Sequence, residues 1–479
     1  MNKRTVINNI GKILLVEAGI MLLPAIIAFI YGETTDALYF LFTLIPVTII
    51  SLLCIRVKGS KLTPRDGYVV VALAWILISL IGAVPLYLSG AFESFAGALF
   101  EIVSGFTTTG ASVLADPGVL GHGMQFFRCF SHWIGGMGVL VFVLMLIPLE
   151  NDSSMLLIRA EVPGPTAGKL VPKMKNTSRI LYGIYGAMTA VLIIVLICLK
   201  MPVFDAFCYG FGTAGTGGFS ISAAGLSVYN SQAIEIVIAV AMLLFGVNFN
   251  VYFLLLLRRV KDALKNEEVI VYFGIVVFSV VTITINILRT VSGVGEALRL
   301  SLFQVSSIIT TTGFSTADFD KWPEYSRHLL VLLMIIGACA GSTAGGMKIS
   351  RIIILWKSLV AEIKRIINPK QVVPVRVNGV MVENRVLQSV KVYSAFYFTI
   401  VCLSILLLSL CGLDFTTNVT AVLATFNNIG PGLSLVGPMA NYGVYPIPGQ
   451  LLLTLLMLTG RLEIFPMFLL FAKSAHDRR

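Results

Sequence analysis

Four short clusters rich in glycine and in hydroxyl or amide side chains recur along this chain, each set between long apolar stretches. They read Thr107-Thr108-Thr109-Gly110-Ala111-Ser112, Gly215-Thr216-Gly217-Gly218-Phe219-Ser220, Thr310-Thr311-Thr312-Gly313-Phe314-Ser315 and Asn427-Asn428-Ile429-Gly430-Pro431-Gly432. Polar, non-helical backbone between apolar spans must be buried in protein or line water. One such cluster says little. Four copies in the same span–loop–span context predict four loops arranged around a common axis.

The apolar stretches are transmembrane helices. The chain has 479 residues, 57% hydrophobic and only 12% charged, whereas a soluble domain carries about 25% charged residues. Crossing a hydrocarbon core of about 30 Å takes about 20 helical residues. A membrane β-barrel would alternate apolar and polar residues in segments of about ten, and these runs are continuous. The stretch 13–31 has no small-residue cleavage site after it and is read as the first span. The seven cysteines are scattered without a C-x-x-C pair, as expected of small residues in spans rather than of metal or disulfide sites.

The formal net charge of +11 is distributed as membrane topology, not as a nucleic-acid surface. Basic residues cluster at 3–4, 56–65, 159–179, 258–265, 351–385 and 473–479. Even numbers of spans separate these clusters, so all lie on one side. That positive-inside pattern puts both termini in the cytoplasm, with anionic lipid headgroups as the electrostatic partner.

The expected fold is an all-α polytopic membrane protein. Two N-terminal spans occupy 1–65. Four pseudo-symmetric units of span, pore helix, glycine loop and span follow, at 66–178, 179–267, 268–384 and 385–479, the first and third with cytoplasmic links. Sliding Gly110 onto Gly313 brings Leu99-Phe100 onto Leu302-Phe303, Ser104 onto Ser307, three threonines onto three threonines and Ser112 onto Ser315, as internal repeats do. The segments before the loops (95–106, 203–212, 297–309, 416–426) are too short to span and are expected as half-helices. Their carbonyl ends would point inward, adding partial negative charge where a cation rests.

Glycine allows the positive φ that turns carbonyls toward an axis. A ring of carbonyls from four loops replaces the hydration shell of a potassium ion, and the clusters carry no Asp or Glu of a divalent-selective ring. The chemistry expected is therefore potassium conduction. The alternative is a proton- or sodium-coupled secondary potassium transporter with alternating access. No His/Asp/Glu/Cys constellation lies in the spans, so an enzyme is not expected, nor is a bound cofactor. The chain lacks a phosphate-binding loop ending in Lys-Ser/Thr. Two further features bear on a gate. The run Gly337–Gly346 consists of small, poorly helix-forming residues, so the long third second-span is expected to break there. Arg461 sits inside the last span, where an arginine faces a cavity, a partner or the ion path.

On these clusters, and on His132-Trp133-Ile134-Gly135-Gly136-Met137-Gly138, Gly341-Ser342-Thr343-Ala344-Gly345-Gly346-Met347-Lys348 and Gly460-Arg461-Leu462-Glu463, the chain resembles the Trk/Ktr/HKT superfamily. More narrowly, it resembles the TrkH/TrkG-type potassium uptake membrane subunit, over essentially its whole length. The resemblance implies a potassium filter at Thr108, Thr109, Gly110, Thr216, Gly217, Gly218, Thr311, Thr312, Gly313, Asn428, Ile429 and Gly430. Gly110, Gly218, Gly313 and Gly430 are its key glycines, with Gly217 the rival to Gly218. It implies a gate at Gly341, Ser342, Thr343, Ala344, Gly345, Gly346 and Arg461. It also implies a homodimer in the bacterial inner membrane that docks a cytoplasmic nucleotide-binding, TrkA-like regulatory subunit, for which 161–179 and 365–385 are candidate contacts.

Overall fold

A computed structural model describes residues 2–57, 59, 63–138 and 174–471. The basic segments 139–173 and 473–479, and with them most of the candidate partner contact at 161–179, lie outside the described residues.

Among the described residues the regular structure is helical, apart from one antiparallel hairpin pairing Arg376–Val377 with Val380–Met381 across an Asn378-Gly379 turn. Helices α1 (Lys3–Ile30) and α2 (Thr34–Ile55) pack on each other. Then come α3 (Pro64–Leu88), α4 (Phe95–Phe106), α5 (His122–Gly136), α6 (Met174–Cys198), α7 (Val203–Gly215), α8 (Gln232–Phe245) and α9 (Phe249–Leu256). After the short α10 (Val260–Leu264) follow α11 (Glu267–Ile287), α12 (Val294–Ile309), α13 (Glu324–Ile336), α14 (Ile349–Ile367), α15 (Asn384–Leu408), α16 (Phe415–Phe426), α17 (Ile447–Arg461) and α18 (Phe465–Phe471). Among the described residues, six helices are long and apolar enough to cross a membrane. The bent pair α8 and α9 makes a seventh if counted as one span.

Local chemistry explains where the elements begin. Thr63 and Asp66 form a reciprocal capping box on α3, with Pro64 at its first position. The four short helices α4, α7, α12 and α16 hold 12, 13, 16 and 12 residues. At about 1.5 Å per residue they reach roughly 18–24 Å, short of a hydrocarbon core. Ser94 and Asp414 cap α4 and α16 through the Gly97 and Thr417 N–H groups at 3.1 and 3.0 Å. Helix α7 continues to Gly215 and α12 starts at Val294, extending the expected half-helices by a turn or less.

The break expected in the third unit's long span is present between Ile336 and Ile349. Breaks not expected from the sequence occur at corresponding places in the second unit, where α8 and α9 meet at 88°, and in the fourth, at Leu462–Ile464. In the second unit, tertiary bonds replace helical ones: Cys339 N–H donates to the Gly246 carbonyl at 3.2 Å and Phe249 N–H to the Gly341 carbonyl at 3.0 Å. In the fourth, Glu463 and Ile464 both take positive φ (55° and 68°), rare for a β-branched residue.

Candidate functional site

The four glycine loops meet as one closed ring. A β-carbon placed on Gly110 would overlap the carbonyl oxygen of Gly217, one on Gly218 that of Thr312, and one on Gly313 that of Ile429. One on Gly430 would lie 2.8 Å from that of Thr109. Each glycine thus abuts the carbonyl of the residue just before the equivalent glycine in the next loop, and the circuit returns to its start. All four take positive φ: 76°, 76°, 86° and 98°. This closure gives the ring position to Gly218. Gly217 is excluded from it, and a side chain there would run into the His132 ring.

One local device makes each loop. Thr108, Thr216, Thr311 and Asn428 take left-handed φ of 56°, 53°, 56° and 55°, and the next residue's N–H reaches back five residues. Thr109, Gly217, Thr312 and Ile429 donate to Ser104, Gly212, Ser307 and Ala424, each at 2.8 Å. That is a helix C-terminal Schellman cap, a position glycine ordinarily takes. Holding threonine there costs about 1–3 kcal/mol per residue, strain of a kind that clusters at functional sites. In the first and third loops a hydroxyl rung stiffens the turn: Thr107 Oγ1 and Thr109 Oγ1 lie 2.8 Å apart, as do Thr310 Oγ1 and Thr312 Oγ1. Fourfold equivalence is incomplete in the fourth loop, where Asn428 Nδ2 donates to Thr109 Oγ1 at 3.0 Å and Asn427 accepts from Tyr397 Oη.

The ring offers neutral oxygen. Thr108 Oγ1 is buried with no hydrogen-bond partner among the described residues. A mouth opens beside the ring, lined by all four ring glycines and by Arg128 and Phe219. Glu101, on α4, is fully buried. It accepts from Ser112 Oγ at 2.9 Å, Val113 N–H at 3.1 Å and the Arg128 guanidinium at 2.5 Å. Arg128 lies on α5, 1% exposed, because Glu101 compensates its charge; removing one partner of such a pair costs about 3–5 kcal/mol. Other acids serve local structure: Asp116 accepts from the Gly118 and Ala223 N–H groups and Asp205 from Tyr229 Oη.

Beneath the ring runs the segment joining α13 to α14, which holds six of the seven predicted gate residues. Gly345 N–H donates to Thr311 Oγ1 at 2.7 Å, and a β-carbon on Gly345 would lie 3.2 Å from that of Asn428. Thr343 Oγ1 bonds the Phe245 carbonyl at 3.3 Å and Ser342 Oγ the Cys339 carbonyl at 2.6 Å. Gly341 and Gly346 take positive φ, and Ala344 accepts from Lys348 Nζ. Arg461 completes the set from α17. It donates to the Thr343 carbonyl at 2.9 Å, to the Gly136 carbonyl at 2.7 Å and to the Gly135 carbonyl. It therefore ties the loop to the C-terminal end of α5, where a cation also meets the negative end of the helix dipole. Glu463 pairs with Arg351.

The sequence reading missed Glu268. Its Oε1 accepts from Ala340 N–H at 2.7 Å and Ser350 N–H at 3.1 Å, so one carboxylate on α11 holds both ends of the loop. The available signal was its position in the first turn of a span, a place ordinarily read as helix-dipole chemistry.

Against known proteins, the family model TrkH, described as cation transport protein, matches residues 38–478. The Trk system potassium uptake protein TrkH of Salmonella typhimurium is 32% identical over 478 residues, 98% of this chain and 99% of its own. The Trk system potassium uptake protein TrkG of Escherichia coli is 32% identical over 464 residues, 94% of each chain. The crystal structure of the potassium transporter TrkH from Vibrio parahaemolyticus superposes with a TM-score of 0.89 at 30% identity, covering 100% of both chains.

Proposed function

The chain belongs to the TrkH family of cation transport proteins, a family of multi-pass membrane transporters rather than enzymes, and we propose that it takes up potassium through a channel-like filter formed by the glycine ring. The carrying observation is the closure of that ring, each glycine against the next loop's carbonyl. Neutral carbonyl and hydroxyl oxygens suit a weakly hydrated monovalent cation. The unpartnered Thr108 hydroxyl supports a cation or its water at that level. Thr108, Thr109, Gly110, Thr216, Gly217, Gly218, Thr311, Thr312, Gly313, Asn428, Ile429 and Gly430 line the filter, with the four αL residues setting the aim of the carbonyls. The names of the relatives, potassium uptake proteins of the Trk system, support potassium as the cargo.

Gly341–Gly346 and Arg461 form the gate in this reading: a loop of small residues obstructs the path below the filter, and a fixed positive charge adds a barrier. The protein works as a homodimer in the bacterial inner membrane with both termini cytoplasmic, and a TrkA-like nucleotide-binding subunit moves the loop. The basic residues gathered on one side support that orientation. Uptake is driven by the membrane potential at about 2.3 kcal/mol per charge per 100 mV.

The test is cation flux into proteoliposomes holding the full chain alone, comparing K⁺, Rb⁺, Na⁺ and Li⁺, beside Gly313→Ser. Passive flux favouring K⁺ and Rb⁺, with discrimination weakened in the variant, is expected. Flux that requires an imposed proton or sodium gradient would replace the conduit by a coupled transporter.

A further inference from the structure

The second loop of the ring lacks the internal support of the first and third. Counting back from the ring glycine, the rung positions Thr107/Thr109 and Thr310/Thr312 correspond to Gly215 and Gly217. Two glycines supply no hydroxyl, and Gly217-Gly218 is the pair freest to leave its conformation. Yet this loop holds the same φ and the same five-residue N–H bond as its neighbours, so something outside it does the holding.

That support comes from α5. The His132 Nδ1–H donates to the Gly105 carbonyl at 2.8 Å while Nε2 accepts from Phe219 N–H at 3.2 Å. One neutral imidazole therefore bridges the end of the first pore helix to the residue just after the second ring glycine. A β-carbon on Gly217 would overlap that ring. One turn earlier on the same face, Arg128 NH1 donates to the Ser220 carbonyl at 3.3 Å, and its guanidinium stacks 4.1 Å over Phe219. The Phe219 ring also lies 4.3 Å from the His132 ring. The other arm of Arg128 is held by Glu101, which grips Ser112 and Val113 of the first loop. All four side chains are buried.

We propose that Arg128 and His132 are positioning residues for ion discrimination: an external rung that sets the second loop's carbonyls by tying them to the first loop. This rests on the filter reading above. A packing role alone would alter how much protein inserts, but not the ratio in which inserted protein passes two cations.

The experiment measures the K⁺ to Na⁺ flux ratio of the full chain in proteoliposomes for the wild type, Gly313→Ser and His132→Phe. Phenylalanine keeps a ring against Gly217 and removes both hydrogen bonds. The expected result is a ratio lowered about five-fold or more by His132→Phe, the scale of one lost hydrogen bond. An unchanged ratio in His132→Phe beside a lowered one in Gly313→Ser would overturn the rung and leave the filter standing. A ratio moved by neither would overturn the filter reading and the rung together. If His132→Phe does not insert, Arg128→Lys carries the same test: it keeps the charge for Glu101 but loses the planar fork that reaches Ser220 and stacks on Phe219.

Discussion

Replacing Arg461 by alanine is expected to raise cation flux, and the structure bounds the size of the effect. Of the bonds Arg461 makes, the one to the Thr343 carbonyl at 2.9 Å holds the loop. Those to Gly135 and Gly136 hold α5. A hydrogen bond to a charged group contributes about 1.5–3 kcal/mol, so losing the Thr343 tether shifts the loop's equilibrium away from its seated position by at most roughly 10- to 140-fold. The loop keeps its bonds to Thr311 and Phe245, which argues for a rise near the lower end. Removing the charge also lowers the barrier to a cation below the ring. Arg461→Lys separates the two effects, since a single ammonium retains the charge but does not span both sets of carbonyls; its flux should fall between wild type and Arg461→Ala. The assay is ⁸⁶Rb⁺ uptake into proteoliposomes, normalised to inserted protein. Unchanged or reduced uptake in Arg461→Ala, with the protein monodisperse, would refute the tether and the barrier alike.

Two further expectations follow from side chains outside the ring. Glu268→Ala orphans the Ala340 and Ser350 N–H groups at about 1–3 kcal/mol each. It should raise basal flux and lower the melting temperature, whereas Glu268→Gln keeps an acceptor and should stay near wild type; equal flux from the two variants would show that the carboxylate does not hold the loop. In the turn joining α1 and α2, burial pushes the Glu33 carboxyl up. The N–H bonds from Gly123 and His122 and the His122 imidazole pull it down further, leaving it below the ordinary glutamate value. A depressed carboxylate contributes stability that is present above its unfolded pKa, about 4.3, and is lost as pH falls through the folded value. The melting temperature of the wild type should therefore drop on acidification below about pH 4.3 more steeply than that of Glu33→Gln. Parallel curves would remove Glu33 from the account.

What the chain revealed by itself was whatever depends on local composition and repetition. The apolar runs, the four glycine clusters and the fragile stretch Gly337–Gly346 follow from hydropathy, spacing and helix propensity, and each was read from neighbouring residues alone. Choices between locally equivalent residues needed the packed molecule. Gly217 and Gly218 are indistinguishable by propensity. The sequence favours Gly218 because Phe219 follows it as Phe314 follows Gly313, and the Thr312 carbonyl against one and the His132 ring against the other supply the physical reason. The breaks after Gly246 and Arg461 carry no strong local signal, because the bonds that replace the helix at Gly246 come from Cys339 and Gly341, more than ninety residues away. Arg461 announced itself as costly at membrane depth, but its carbonyl partners on α5 and the loop, and the pairing of Glu463 with Arg351, are long-range facts. The same holds for Glu101, Arg128, His132 and Glu268. Burying charge and polar groups in a membrane protein demands partners, and tertiary structure decides which distant side chain or backbone group supplies them.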